Sequence, residues 1–279
     1  MKNQFLILGG TGKTGSRIAK RLQERGETVR LGSRRATPSF SWEDSSNWAE
    51  VVKDITHLYI TYQPDLAVPG AYQAVSELVA QAKKAGVKKI VLLSGKGETE
   101  AQRCEGIVKK SGIDYTIIQC NWFSQNWSES FLMEPVLEGH VALPMSDSKI
   151  PFVDAEDIAD VAVAVFLNPK HNGHTYELTG PKGYTFKEAV ATIATATGRD
   201  IGFTPVSMEA YKGVMQEMGL PETYVWLITY LFTEVIGNPD NSIITKDIEN
   251  IIGRPAKDFK QYADELAATG GWDVPTTAV

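Results

Sequence analysis

The chain has 279 residues, 43% of them hydrophobic, a net charge of −6 and two cysteines, Cys104 and Cys120. That length admits one large domain or two modest ones with a real core. Acids and bases are interspersed, which argues against a nucleic-acid footprint. Two cysteines suggest no disulfide framework, and the apolar runs 5–8 and 224–232 are too short for a secretory signal or a membrane span, so a cytoplasmic protein without membrane partners is expected.

The first half alternates strand and helix signals. A strand over 5–8 leads to a helix over 15–25 that stops at Gly26, and a second strand covers 28–31. Residues 36–47 read as a polar loop with a short strand at 39–42, then a helix over 46–53 and a strand over 57–61. A helix over 72–85, a strand over 89–93, a helix over 99–110 and a strand over 115–119 complete the alternation. Strands separated by long helices imply an α/β fold with a Rossmann-type doubly wound parallel sheet. Beyond 120 the character changes. The spacing predicts a strand over 150–153, a helix started by Asp154, Glu156 and Asp157 and running to 167, and a strand over 175–178. A helix over 185–197 carries the capping box Thr185…Glu188, and further helices cover 207–219, 221–236, 245–252 and 257–268. The expected domains are 1–120, binding a dinucleotide, and 121–279, a smaller C-terminal α/β lobe partly interleaved with the first.

The stretch Gly9-Gly-Thr-Gly-Lys-Thr-Gly15 invites two readings. A nucleoside-triphosphate P-loop would need a glycine at position 7, which is Ile7 inside the apolar strand. The dinucleotide turn fits instead. Gly9 permits the tight turn, Gly12 admits a pyrophosphate and Gly15 lets the helix pack on the strand, with Thr11, Lys13 and Thr14 beside them. The second strand ends Leu31-Gly-Ser33-Arg34-Arg35, with no acid for a ribose 2′-hydroxyl. A guanidinium suits a 2′-phosphate, so NADP(H) is the expected cofactor, held also by Ser33, Thr61 and Ser94. Phe40–Asp44 is a candidate cover for the adenine.

These residues, with Ser111-Gly-Ile-Asp-Tyr-Thr-Ile-Ile-Gln-Cys-Asn-Trp-Phe and Lys149-Ile-Pro-Phe-Val-Asp-Ala-Glu-Asp, resemble the NmrA-like atypical short-chain dehydrogenases over essentially the whole chain. Within that family the branch of ergot-alkaloid dehydrogenases and bacterial relatives is the most similar. The resemblance implies an NADP-binding Rossmann domain, a small C-terminal lobe, and either reductase activity on quinones and iminium compounds or nucleotide sensing. The short-chain dehydrogenase proton donor, Tyr-x-x-x-Lys, has no counterpart: its place holds Gly97 and Ala101. Lys96 and Ser94 are the remaining candidates for a minor catalytic role. A placed acid is worth ~10²–10⁴ in rate, so its absence favours acceptors that need none at the hydride step. The expectation is hydride transfer from NADPH to a small planar iminium, quinone or enone, the alternative being a non-catalytic NADP(H)-sensing regulator acting through a protein partner. Tyr62, Trp122, Phe123 and Asn126 follow strand ends, where open α/β sheets bind ligands, and are the candidate substrate contacts; Trp127 reads as core. Gln119-Cys120-Asn121 stands where relatives commonly carry Arg-Pro-Thr. His171-x-x-His174 brackets an Asn-Gly turn, and no metal is expected. A homodimer is left open.

Overall fold

Phe5-Leu6-Ile7-Leu8 lacks polar alternation, as a strand covered on both faces must. The structure, a computed structural model, describes residues 3–274 and makes this run the centre of β1 (Gln4–Leu8). Then come α1 (Lys13–Glu24), β2 (Thr28–Gly32), α2 (Trp48–Val51), β3 (His57–Ile60), α3 (Ala71–Ala85), β4 (Lys89–Gly95), α4 (Thr99–Lys110) and β5 (Asp114–Cys120). The remainder supplies α5 (Met133–Glu138), β6 (His140–Leu143), α6 (Ala155–Leu167), β7 (His174–Leu178), α7 (Phe186–Thr197) and β8 (Gly202–Pro205). Four helices follow: α8 (Met208–Glu217), α9 (Glu222–Tyr230), α10 (Asp247–Ile252) and α11 (Phe259–Ala268).

The chain divides into two compact units. The first comprises the chain up to Cys120, Ala155–Leu178 and Asp247–Arg254; the second comprises Asn121–Asp154, Thr179–Lys246 and the chain from Pro255 onward.

In the first unit six parallel strands lie in the order β2-β1-β3-β4-β5-β7. The expected doubly wound sheet is therefore present, and β1 and β3 flank its topological switch point. Leu6, Leu8, Leu58, Ile60, Ile90 and Leu92 form a core with α3 and α4 on one face. On the other, Tyr59 reaches α1 and Phe5 meets Phe166 of α6 edge-on at 5.5 Å. Helix α1 turns Thr14, Ile18 and Leu22 inward at four-residue spacing. Burying Ile18 and Leu22 contributes about 1.5–3 kcal/mol each. Its outer edge is held by ions. Arg17 and Arg21 each lie 2.6 Å from Glu156, and Arg21 and Arg254 grip the two oxygens of Asp160 at 2.6 Å. Arg254 also reaches the buried Asp157 at 2.6 Å. Of the carboxylates expected at the start of α6, Glu156 and Asp157 are thus paired with arginines, while Asp154 lies 3.6 Å from the Lys257 ammonium and accepts from Gln125 at 3.1 Å.

The strand expected over 39–42 is absent. Phe40 is buried instead, with Trp42 at 5.0 Å and Trp48 at 5.7 Å, and the Trp42 indole N–H donates to the Thr61 carbonyl at 3.1 Å. Alternating aromatics imitate a strand, but here they plug the flank of a sheet that ends at β2. The same burial withdraws Phe40 from the role of adenine cover.

The second unit packs around Trp127, Phe152, Phe186 and Phe259, with Phe152 and Phe259 5.0 Å apart. The capping box Thr185–Glu188 forms in full at the start of α7. The strand expected over 150–153 shrinks to single bridges, Ile150 to Tyr184 and Phe123 to Val153. Strands β6 and β8 pair as a small parallel sheet, and α5 is added; short runs and Pro135 hid all three from periodicity. The helix expected over 221–236 is α9 followed by a π-helical segment, Leu231–Ile236.

Candidate functional site

The turn after β1 is built from backbone. Gly9 sits at φ +60°, where an L side chain is strained, and its carbonyl accepts the Gly12 N–H at 2.8 Å. A Cβ on Gly15 would lie 2.2 Å from that same carbonyl oxygen, so only glycine lets α1 begin so close to the strand. The helix starts at Lys13, two residues before its expected start. Its N-cap is Gly12, no side chain caps it, and its first turn has no acid. The first-turn N–H groups and the positive end of the helix are therefore available to an anion. The arrangement fits the pyrophosphate of a dinucleotide. Thr11 is exposed and Lys13 half-buried at this turn. Thr14 is placed differently: it is 5% exposed and its hydroxyl accepts from the Tyr59 phenol at 2.9 Å. Thr14 therefore pins α1 to β3, leaving its backbone for a ligand, and burial pushes the Tyr59 phenol far up.

The neighbouring strand ends close round this turn. A Cβ on Gly9 would meet the Thr61 methyl at 2.6 Å, which places Thr61 at the switch point beside the turn. The Ser33 carbonyl accepts from Ala36 and Phe40, and this fold of the loop leaves Arg34 and Arg35 exposed just past β2. Tyr62 is half-buried with its ring 4.6 Å from Trp42, and burial raises its phenol. Ser94 is buried, its hydroxyl donating to Glu105 at 2.8 Å. Lys96 is no exposed loop charge: it is 6% exposed, with its ammonium 3.5 Å from Glu177.

Sequence reasoning missed the carboxyl groups beneath these strand ends. Glu105 lies 1% exposed and takes donors from Ser94, from Gln119 at 2.7 Å and from Lys109 at 2.9 Å. The only signal was a glutamine inside an apolar strand. Glu98 is 7% exposed, and burial, then the nearby Asp65, raises its carboxyl well above the ordinary range; burial raises Asp65 as well. Cys104 and Cys120 are buried thiols with burial-raised pKa, Cys104 at about 11, so both behave as core residues.

In the second unit Trp122 is half-buried and meets Phe232 edge-on at 5.3 Å and Phe186 at 6.1 Å. Phe123 and Asn126 are half-buried too, the Asn126 N–H donating to the Phe123 carbonyl at 3.1 Å. Trp127 is fully buried, as expected. His171 bonds Tyr176 at 2.7 Å while His174 is exposed, and among the described residues no cluster suits a metal. No helix among them is long and apolar enough to cross a membrane.

Comparison with known proteins matches residues 1–264 to the model of the NmrA-like family. An NAD(P)H azoreductase from Xenophilus azovorans is 27% identical, covering 96% of this chain and 99% of that protein. Agroclavine dehydrogenase from Claviceps fusiformis is 24% identical over 94% and 96% of the two chains. Among solved structures, the NADPH-dependent quinone oxidoreductase of Escherichia coli complexed with NADPH superposes with a TM-score of 0.73 at 22% identity, covering 94% of this chain and 99% of that one.

Proposed function

The chain belongs to the NmrA-like family, and on that footing we propose that it is an NADPH-dependent oxidoreductase acting on a small planar electrophile. The observation that carries the reading is the turn Gly9–Gly15: a strained glycine, an uncapped helix start without acids, and Gly15 in backbone contact. The relatives named as an NAD(P)H azoreductase and as agroclavine dehydrogenase support oxidoreductase chemistry.

When bound, the reduced nicotinamide would supply a hydride. This chain's residues bind and orient. The first-turn N–H groups of α1 take the pyrophosphate, and Arg34, with Arg35 and Ser33, takes the 2′-phosphate as a charge-assisted bidentate partner. Thr61 and Ser94 frame the strand ends. Tyr62, Trp122, Phe123 and Asn126 are the proposed acceptor contacts. No side chain is assigned as the acid: Ala101 is buried without a proton to give, and Lys96 is paired with Glu177. Rate enhancement then rests on proximity and orientation, which suits acceptors that take their proton from water or need none.

The test is oxidation of NADPH by the purified protein, read from reduced-nicotinamide absorbance with quinones, cyclic iminium salts, enones and an azo dye, alongside binding by tryptophan quenching. Turnover with one acceptor class supports the reading and names the chemistry. Tight binding with no turnover across the panel refutes the enzyme and leaves nucleotide sensing.

A further inference from the structure

A buried carboxylate decides which way one hydroxyl at the strand ends can point. Ser94 and Gln119 are register partners on β4 and β5, so their side chains leave the sheet on the same face. Helix α4 turns Ala101, Cys104, Glu105 and Val108 inward. Glu105, 1% exposed, receives donors at both oxygens. Its Oε1 accepts from the Ser94 hydroxyl at 2.8 Å and from the Gln119 side-chain amide at 2.7 Å, and its Oε2 accepts from the Lys109 ammonium at 2.9 Å. An ammonium only donates and an ionised carboxylate only accepts, so the sense of these bonds is fixed. A serine hydroxyl has one hydrogen and two lone pairs. At Ser94 the hydrogen is committed to Glu105, and toward a ligand at the strand ends Oγ can only accept.

We propose that Glu105 is a positioning residue that makes Ser94 an obligate acceptor, so that Ser94 takes the carboxamide N–H of a bound reduced nicotinamide and disfavours a ring substituent lacking that hydrogen. The inference rests on the reading above that Ser94 borders the nucleotide, here at its nicotinamide end. At that ring the carboxamide NH2 is the one N–H donor NADPH presents, and holding it fixes the rotation of the carboxamide. Two features keep the polarity from reversing when a ligand arrives. The bond from Ser94 to a carboxylate is charge-assisted and stronger than a neutral one. Turning the hydroxyl round would also take a donor from a charge buried to 1% exposure, with Ser94 itself 5% exposed and little water at hand to replace it. Lys109, 38% exposed at its side chain, supplies the matching charge from the outer end of the network.

The test compares two nucleotides by tryptophan quenching: NADPH and its reduced acetylpyridine analogue, in which a methyl group replaces the amide nitrogen while the carbonyl stays. The wild type should prefer NADPH about five- to tenfold, the size of one net hydrogen bond. In Glu105→Gln the new amide turns its oxygen to Lys109, which can only donate, and its NH2 toward Ser94. The Ser94 hydrogen is then released toward the ligand, where a carbonyl serves as well as an amide, and the preference should fall below about twofold. Ser94→Ala should erase the preference too. Damage to packing alone would weaken both nucleotides together and leave their ratio unchanged, so a ratio preserved in Glu105→Gln overturns the proposal. A wild-type ratio near one overturns it as well, with the nucleotide site left standing. If Glu105→Gln does not fold, Glu105→Met, which also releases the Ser94 hydrogen, must lose the preference. A wild type that binds neither nucleotide refutes the site itself and the inference with it.

Discussion

Gly15→Ala tests how tightly the glycine turn is built. The new Cβ would stand 2.2 Å from the Gly9 carbonyl oxygen, 2.7 Å from its carbon and 3.1 Å from the Gly10 Cα, whereas ordinary contact begins at 3.4 Å. The atoms in the way are backbone, so either the turn or the first turn of α1 must shift by about 1 Å. Overpacking of this kind costs about 1–3 kcal/mol, against a helix-propensity gain of at most about 1 kcal/mol. The net loss expected is about 1–2 kcal/mol. The same substitution at Gly106, inside α4 with nothing within 4 Å of its Cβ, should stabilise by about 0.5–1 kcal/mol. Denaturant melts by tryptophan fluorescence should therefore separate two identical changes by about 1.5–3 kcal/mol, with opposite signs. NADPH affinity should fall at least about tenfold in Gly15→Ala only, since a misplacement near 1 Å is costly at a positioned site. Equal stability of the two variants, or unchanged NADPH binding by Gly15→Ala, would refute the argument.

Arg34→Ala should weaken NADPH by about 1.5–3 kcal/mol and NADH hardly at all, because only the 2′-phosphate is addressed; equal losses in parallel titrations would remove that assignment. Arg254→Ala strips a guanidinium from the buried Asp157 and from Asp160 and should cost about 3 kcal/mol of stability in denaturant melts. A loss within about 0.5 kcal/mol would show that α10 is not held by these ions. His57, stacked 4.6 Å from Phe5, is depressed to about 4 by burial and by the charge of Lys89. The unfolded chain binds its proton more readily, so stability should drop by about 2 kcal/mol, after allowance for partial exposure, as pH falls from about 6.5 to about 4. Thermal melts of His57→Gln should lack that part of the slope; identical slopes would count against it.

The first half of the fold was legible because its signals are local. An unbroken apolar run, a glycine every third residue and an amphipathic helix state strand, turn and helix within about twenty residues. The capping box at Thr185 was equally local. What stayed hidden depends on partners far along the chain. Phe40 and Trp42 alternate like a strand, yet their fate was decided by Trp48 and Thr61. That the Thr14 hydroxyl would be taken by Tyr59, forty-five residues away, was equally out of local reach. Glu98 looks like an ordinary loop charge, because nothing in its spacing says that its carboxyl will be buried against Gly95. The site's backbone was therefore readable and its buried polar wiring was not.

The order of strands also bears on synthesis. Strand β5 borrows its outer neighbour, β7, from roughly sixty residues downstream, with the whole segment Asn121–Asp154 of the other unit made in between. A nascent chain emerging at about 5–20 residues per second would hold Asp114–Cys120 as an unpaired apolar edge for several seconds. Such an edge is a template for pairing with another copy. A fragment ending at Cys120 would keep that edge permanently, so the first unit is not a piece that can be cut out at its first boundary and expected to stay soluble.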